Sequence, residues 1–333
     1  MKALVYTDVE ELTYKDVDNP EPIGNELLVE VKAVGICGSD MHAWKGHDER
    51  RPAPLILGHE VAGMSSTGQR VTVNPLVTCM QCSYCKSGRT NLCPDRQILS
   101  MSPRQGGFAQ YITIPQQNII PVADHISYEK AALAEPIAVA WHCIQIAIEL
   151  SFKPITDSNI LILGGGAIGL ASALVAAHFQ AADICIAETN AARHANLSSA
   201  GDFNVFNPVT DNLPGKTSGS RDFDIVIDAY GGTQTQKMAS QHVSPGGVII
   251  NVGLAGGEIG LDVRKMTLQD IRFAGSYTYT QEDFVNTTSA MFAGKLGSLD
   301  WFEIYPLSQG ASIFSQLNDG KVSTPKVILY PDG

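Results

Sequence analysis

Short apolar segments with the pattern of β-strands run through the first 140 residues of the chain. Glycine, proline, asparagine and aspartate separate these segments, as is typical of the turns between short strands. The clearest segments are KALVY (2–6), ELLVEVKAVG (26–35), RVTVNP (70–75) and FAQYITIP (108–115). This part of the chain is therefore predicted to form an irregular, mostly antiparallel β domain.

The pattern changes at residues 129–150, where EKAALAEPIAVAWHCIQIAIEL is long and apolar and is predicted to form buried helix. Strand and helix patterns then alternate, which predicts a parallel sheet covered by helices. The predicted strands of this sheet are NILILG (159–164), ADICIAE (182–188), FDIVIDAY (223–230), GGVIINVG (246–253) and RFAGSY (272–277).

These patterns predict an α/β chain of two domains. The closing strand pattern, KVILY (326–330), is like those of the β-rich half, so the chain is expected to return to that half. The β-rich domain is predicted to comprise residues 1–138 and 279–333. A doubly wound parallel-sheet domain, residues 139–278, is predicted to be inserted between its two parts.

The composition narrows the possible classes, cellular locations and partners of the protein. With 333 residues, 44% hydrophobic and 17% charged, the chain has enough apolar material for two cores. No apolar run approaches the roughly 18–20 residues of a membrane span, and MKALVYTDVE lacks the pattern of a secretion signal. A soluble, cytoplasmic protein is expected. The net charge of −11 repels phosphate backbones, so neither nucleic acid nor an anionic membrane is an expected partner.

A glycine-rich turn between a predicted strand and a predicted helix indicates a dinucleotide site. NILILGGGAIGL places Gly164, Gly166 and Gly169 as G-x-G-x-x-G, the spacing that allows a tight turn, close approach of a pyrophosphate and close helix packing. Glu188 ends the next predicted strand, where an acid binds the adenosine ribose and repels a 2′-phosphate, which favours NAD over NADP. The alternative is that Glu188 only begins a turn, and Arg193 could soften the preference. The candidate cofactor-binding residues are Gly164, Gly166, Ile168, Gly169, Glu188 and Arg193.

Four of the seven cysteines lie close together in CMQCSYCKSGRTNLC. A cluster of this density in a long chain without a secretion signal indicates metal binding rather than disulfides. Four thiolates close a tetrahedral zinc shell that has no open position, so its role would be structural. An iron–sulfur cluster or the zinc ribbon of a nucleic-acid binder could use similar ligands, but the acidic charge and the dinucleotide pattern argue against both. The predicted ligands are Cys79, Cys82, Cys85 and Cys93.

A second set of metal-ligating residues is spread along the β-rich part. Cys37 lies in VGICGSDMH, His59 and Glu60 lie in LGHE, and Glu135 precedes Pro136. Three protein ligands with one open position define a catalytic zinc site. Cys37 alone is more often a small core residue, so the prediction depends on the whole set.

These motifs, in this order along the chain, resemble those of the zinc-containing medium-chain alcohol dehydrogenase family. The matching pieces are G-I-C-G-S-D-x-H, G-H-E, the four-cysteine segment, E-P and G-x-G-x-x-G. The chain is most similar to the polyol, threonine and sugar-acid branch, which includes sorbitol dehydrogenase, because Glu135-Pro136 stands where other branches have a zinc-binding cysteine. KSGRTNLC and the HAW after Cys37 resemble dehydrogenases of aldonic acids such as galactonate.

The resemblance implies a GroES-like β-rich catalytic domain, a Rossmann domain that binds NAD, two zinc ions per chain and a homodimer or homotetramer. It also implies an oxidoreductase that transfers hydride to NAD from a secondary alcohol of a polyol, sugar acid or hydroxy amino acid. The alternative from another class is a non-catalytic, zinc-stabilised nucleotide-binding protein that acts as a redox sensor.

Roles for individual residues also follow from the resemblance. Cys37 and His59 would bind the catalytic zinc, with Glu60 and Glu135 as direct or water-mediated ligands. Ser39 would hydrogen-bond the substrate hydroxyl and pass its proton toward His42, while Asp40 would accept from the His59 ring. The hairpin after Glu60, GHEVAGMSSTGQRV, is about ten residues shorter than the family's usual pattern, which makes the pairing of its two strands uncertain.

Overall fold

A computed structural model describes residues 1–211, 213, 222–256, 258 and 260–331. Contacts between residues divide the chain into two compact units. The first unit consists of Met1–Pro136, Thr280–Ala293 and Asp300–Gly333, and the second of Ile137–Tyr279 and Gly294–Leu299. The domain boundaries derived from the sequence, at 138/139 and 278/279, stay a prediction. Among the described residues no helix is long and apolar enough to cross a membrane.

From its first residue to the unit boundary after Pro136, the chain forms strands and short helices. The strands are β1 (Lys2–Asp8), β2 (Glu11–Asp16), β3 (Glu26–Gly35), β4 (Leu55–Ile56), β5 (Glu60–Ser65), β6 (Arg70–Val73), β7 (Leu76–Val77), β8 (Gln97–Ile98), β9 (Tyr111–Pro115) and β10 (Ile119–Pro121). The helices are α1 (Gly38–Trp44), α2 (Ser83–Lys86) and α3 (Tyr128–Ala132).

Helices and strands alternate in the middle of the chain. They are α4 (Ala134–Leu150), β11 (Asn159–Leu163), α5 (Ala167–His178), β12 (Asp183–Ala187), α6 (Ala191–Ala200), β13 (Asn204–Phe206), β14 (Phe223–Asp228), α7 (Thr233–His242), β15 (Val243–Asn251), α8 (Val263–Leu268) and β16 (Arg272–Gly275). The chain closes with α9 (Gln281–Phe292), β17 (Phe302–Pro306), α10 (Gly310–Asn318) and β18 (Lys326–Tyr330).

The main sheet of the first unit runs in the order β10-β6-β5-β3-β18-β17, and β9 also pairs with β3. Its pairs are antiparallel except β17 with β18, and a smaller sheet runs in the order β2-β1-β4. Alternate apolar residues of these strands pack into one core, with Leu4, Val29, Val34, Phe108 and Phe314 fully enclosed. The structure thus bears out the predicted β-rich part.

Two features of this sheet, one non-local and one local, determine which residues meet. Strand β18 returns from the end of the chain to lie beside β3, with Ile328 opposite Gly35. The shortened hairpin between β5 and β6 is closed, because Ala62 pairs with Thr72 and Met64 with Arg70. The uncertainty about this pairing is therefore resolved in favour of a regular hairpin.

The second unit contains a parallel sheet in the order β13-β12-β11-β14-β15-β16. The chain passes from β11 to β12 and β13 on one side, then crosses to β14 on the other side of β11. The predicted doubly wound Rossmann sheet is confirmed. Such a reversal of strand order opens a crevice at the carboxyl end of the central strand, where nucleotides bind. Here that end is Leu163, immediately before Gly164.

Candidate metal centres and nucleotide loop

Neighbouring strands of the first unit bring together the motifs that were predicted to bind the catalytic zinc. Strand β3 ends at Gly35, two residues before Cys37, and strand β5 begins at Glu60. The antiparallel register pairs Gly35 directly with Glu60. As a result, the ligand atoms of Cys37, His59 and Glu60 all lie within 4.8 Å of one another.

The surroundings of these three side chains suit a metal ion. A thiolate, an imidazole and a carboxylate are a donor set that zinc accepts. Gly35 leaves the space that the carboxylate occupies, because a Cβ at that position would lie 1.8 Å from Oε2 of Glu60. His59 is 5% exposed and Glu60 is fully enclosed. Glu135, the other predicted ligand, is buried in the first turn of α4 but is not part of this group in the described chain.

Asp40 is wholly buried beside the His59 ring, as its predicted role requires. Its Oδ1 lies 3.5 Å from Nδ1 of His59, which also contacts Oγ of Ser100 at 3.2 Å. These contacts occupy Nδ1 and leave Nε2 for a metal. Burial alone would raise the pKa of the Asp40 carboxyl, but the neighbouring His59 and Arg51 hold that pKa below its ordinary value.

Ser39 and His42, the predicted proton relay, lie on helix α1, three residues apart. Oγ of Ser39 accepts a hydrogen bond from Nη1 of Arg51 at 3.1 Å. Burial, together with the nearby His47 and Lys45, lowers the pKa of His42 below its ordinary value. His42 is therefore neutral at pH 7 and can accept a proton.

The sequence did not reveal Lys326 as a residue of this site. Its Nζ donates to Oε1 and Oε2 of Glu60 at 2.6 and 2.8 Å, and to the carbonyl oxygen of Ile36 at 3.0 Å. Burial alone would lower the pKa of Lys326, but the negative charges of Glu60, Cys37 and Glu135 raise it. The available signal was a lysine that opens the apolar strand KVILY, where a buried cation needs a partner.

The four-cysteine segment forms a second group, separate from the first. The ligand atoms of Cys79, Cys82, Cys85 and Cys93 lie within 4.8 Å of one another. Sγ of Cys79 is 3.5 Å from Sγ of Cys93, close to the sulfur spacing of about 3.8 Å in a tetrahedral shell with Zn–S bonds of 2.3 Å. Backbone N–H groups of Gln81 and Cys82 lower the pKa of Cys79 to about 7, which favours the thiolate that a metal binds.

The glycine-rich loop of the second unit has the geometry that a dinucleotide requires. Gly164 adopts a φ of +100°, which favours glycine at this turn. A Cβ on Gly169 would lie 1.8 Å from the carbonyl oxygen of Gly164, so α5 packs closely against the loop. No heavy atom lies within 4 Å of a Cβ built on Gly166, among the neighbours that could obstruct it in the described chain. Ile168 is half-buried in the first turn of α5.

Glu188 follows β12 and reaches back to this loop. Its Oε2 accepts from the backbone N–H of Gly165 at 2.9 Å, and its Oε1 accepts from that of Asn190 at 2.7 Å. Nη1 of Arg193 lies 3.5 Å from Oε2 of Glu188. The acid and the arginine thus lie together at the loop, where Glu188 was predicted to bind the adenosine ribose and Arg193 to soften the preference for NAD.

Comparisons with known proteins agree with this architecture. The family model described as "Alcohol dehydrogenase GroES-like domain" matches residues 24–124, and that described as "Zinc-binding dehydrogenase" matches residues 167–293. The chain is 32% identical over 309 residues to L-galactonate-5-dehydrogenase of Escherichia coli, with 89% of this chain and 88% of that one covered. It is 33% identical over 297 residues to sorbitol dehydrogenase of Bacillus subtilis, with 84% and 82% covered.

A solved structure gives the same result for the fold. L-idonate 5-dehydrogenase from Escherichia coli matches with a TM-score of 0.85 and 25% identity, and the match covers 99% of this chain and 97% of that one.

The chain belongs to the zinc-containing medium-chain alcohol dehydrogenase family. The predicted family, two-domain fold class and zinc-dependent oxidoreductase function are confirmed. The comparisons do not support the non-catalytic redox-sensor alternative.

Replacing Lys326 should expose how strongly the metal centre depends on this cation. In zinc-free protein, Lys326→Met leaves the Glu60 carboxylate buried without its cation, which typically costs about 3–5 kcal/mol of unfolding free energy. Urea denaturation of protein stripped of zinc measures this loss. The double variant Glu60→Gln with Lys326→Met should recover most of the loss, because no buried charge then remains unpaired.

The matched control for this experiment is Lys321→Met, which breaks the exposed pair of Lys321 with Asp319. It should leave the unfolding midpoint unchanged, as expected for an exposed ion pair. If Lys326→Met were as stable as this control, the buried pair would not have the importance assigned to it.

Proposed function

We propose that this protein oxidises a secondary alcohol of a polyol or sugar acid with NAD as the hydride acceptor. The observation that carries the proposal is the group of half-buried Cys37 and buried His59 and Glu60, with Ser39 two residues from Cys37 in the sequence. The two relatives support the substrate class, since one is an aldonate dehydrogenase and the other a polyol dehydrogenase. A hydroxy amino acid such as threonine belongs to the same proposal.

The roles proposed for the residues come from the family resemblance, and the contacts of Asp40 and His59 support them. A zinc ion bound by Cys37, His59 and a carboxylate would supply Lewis acidity, which makes an alcohol hydroxyl easier to deprotonate. Ser39 hydrogen-bonds the substrate hydroxyl and receives its proton, and neutral His42 accepts the proton further along α1. Asp40 holds the His59 ring in the orientation that metal binding requires.

We assign Glu60 as the direct carboxylate ligand, because its oxygen is the one grouped with the donor atoms of Cys37 and His59. Glu135 remains the alternative, as a direct or water-mediated ligand. The four-cysteine group is proposed to hold a second, structural zinc, so that the chain binds two zinc ions. A closed shell of four thiolates has no position for substrate.

The preference for NAD over NADP is also a proposal. Glu188 is buried and negative at the glycine-rich loop, where it accepts ribose hydroxyls and repels a 2′-phosphate. The cation of Arg193 beside it reduces that repulsion. We therefore expect NAD to be preferred but NADP not to be excluded.

A homodimer or homotetramer is proposed as well. Strand β16 lies at the edge of the second unit's sheet and pairs with β15 on one side. Phe273 on this strand is 40% exposed, and Leu268 just before it is 66% exposed. An edge of this kind can be covered by pairing with another chain, and a second copy is the partner we favour. The cytoplasmic location stays a prediction.

Substrate turnover tests the proposed function directly. NADH formation is followed by absorbance with L-galactonate, sorbitol, xylitol, 2,3-butanediol and L-threonine as substrates. At least one polyol or aldonate should be oxidised, and substitution of Ser39 by alanine should abolish most of kcat while the zinc content is retained. Tight binding of NADH without turnover of any compound would instead revive the redox-sensor alternative.

The coenzyme preference depends on Glu188. Glu188→Ala should raise the KM for NAD about tenfold, which corresponds to the loss of about 1.4 kcal/mol of binding. Glu188→Gln keeps an oxygen acceptor for Gly165 but removes the charge, so it should lower the KM for NADP. Glu149→Ala, at an exposed acid of the same unit, serves as the control and should change neither KM. Unchanged kinetics in both Glu188 variants would remove this residue from the cofactor site.

Chelation separates the two proposed zinc ions. One ion would have mixed ligands and an open position, whereas the other would have a closed thiolate shell, so the first should be released more easily. Incubation with dipicolinate should reduce zinc from two ions per chain to one as activity is lost, with the Tm nearly unchanged. Added ZnCl2 should restore activity. Loss of activity together with cooperative unfolding would contradict the separation of roles.

A further inference from the structure

Arg51 is a buried cation beside the proposed relay serine. It is 3% exposed, and its Nη1 donates to Oγ of Ser39 at 3.1 Å. The same Nη1 lies 3.6 Å from Oδ1 of Asp40, and Nε lies 3.8 Å from Oδ2 of Asp48. Within the described residues Nε has no hydrogen-bond partner. A guanidinium is thus held in the interior although its hydrogen bonding is incomplete.

Keeping such a group buried is energetically unfavourable, so its position indicates that the side chain has a role. Burial of a charge costs several kcal/mol, which counter-charges offset in part. Asp40 also contacts His59, and Asp48 pairs at 2.8 Å with the neighbouring Arg50. Neither acid is therefore dedicated to Arg51. Of the three contacts, the shortest is the hydrogen bond to the hydroxyl of Ser39.

We propose that Arg51 is a positioning residue that orients the hydroxyl of Ser39 for proton transfer from the substrate alcohol. Arginine donates hydrogen bonds and never accepts them. Ser39 must therefore use one oxygen lone pair for Arg51, and its own hydrogen cannot point there. One lone pair then faces the substrate hydroxyl, and the serine hydrogen is available to the next acceptor. This inference rests on the proposed function, because it assumes the role given there to Ser39.

The shape of the guanidinium suits this task better than an ammonium group. Asp40 lies between His59 and Arg51, so one carboxylate contacts both a proposed zinc ligand and the residue that holds Ser39. The planar, rigid fork of arginine directs its donors at fixed angles, whereas a lysine presents a single flexible charge. Arg51→Lys should therefore keep the buried charge but lose the orientation of Ser39.

Kinetics of Arg51→Lys and Arg51→Gln test the proposal with L-galactonate and NAD, or with sorbitol if it is the better substrate of the panel. Each variant should lower kcat by about 10–100-fold, as small misplacements in active sites do, with KM and zinc content nearly unchanged. The solvent deuterium isotope effect on kcat should rise, because proton transfer becomes slower relative to hydride transfer. A purely structural role would not change that isotope effect.

A double-mutant cycle identifies the residue through which Arg51 acts. Once Ser39 is alanine, Arg51→Gln should cause little further loss of kcat, since the hydroxyl that it orients is absent. Tm values of the same four proteins provide a readout that does not depend on turnover, and they should also be non-additive. Arg50→Gln is the matched control, because Arg50 is half-exposed and shares Asp48, and it should retain wild-type kcat.

Three results would overturn the proposal. The losses from Ser39→Ala and Arg51→Gln could multiply, the isotope effect could stay at its wild-type value, or both Arg51 variants could lose zinc in proportion to kcat. If Arg51→Gln does not fold, Arg51→Lys decides the outcome because it retains the charge. A wild-type protein that oxidises no compound of the panel would show instead that the proposed function has failed, and this inference would fail with it.

Discussion

The buried ion pair between Lys326 and Glu60 is the interaction on which the proposed metal centre depends. Without Lys326, the buried carboxylates of Glu60 and Glu135 would lie near the half-buried sulfur of Cys37 with no buried lysine to balance them, and like charges repel strongly where water is largely excluded. The Lys326 ammonium contacts both oxygens of Glu60 and is influenced by the charges of Cys37 and Glu135. It allows the acidic side chains to remain buried beside Cys37, where a divalent cation is proposed to bind.

The same balance of buried charges is found at Asp40, which contacts the His59 ring. Asp40 is completely enclosed, yet its pKa stays low because His59, Arg51 and the N–H of Cys37 surround it. Two buried acids are thus each balanced by a buried cation, Glu60 by Lys326 and Asp40 by Arg51. Glu60 is itself a proposed ligand, and Asp40 contacts the proposed ligand His59. The geometry of the proposed ligands is therefore fixed by electrostatics as well as by strand pairing.

Features with local spacing could be predicted from the sequence. The glycine-rich loop, the four cysteines and the order of strands and helices depend on residues close together in the chain, and the family resemblance connected Cys37 with His59. Lys326 and Glu60 are 266 residues apart, and their contact exists because β18 pairs with β3. Arg51 was missed for a different reason. Its charge predicts an exposed side chain, and the fold instead encloses it beside Ser39.

The hairpin after Glu60 shows why a shorter turn would not disturb this proposed metal ligand. Glu60 is the first residue of β5, and its position is set by the pairing with Gly35 of β3. The hairpin closes at the far end of β5, where the N–H of Ser65 donates to the carbonyl oxygen of Gln69 and Gly68 adopts a positive φ. A shortened turn would therefore lack only residues that lie five positions or more beyond Glu60. Because the register with β3 is independent of the turn, the carboxylate remains beside Cys37 and His59.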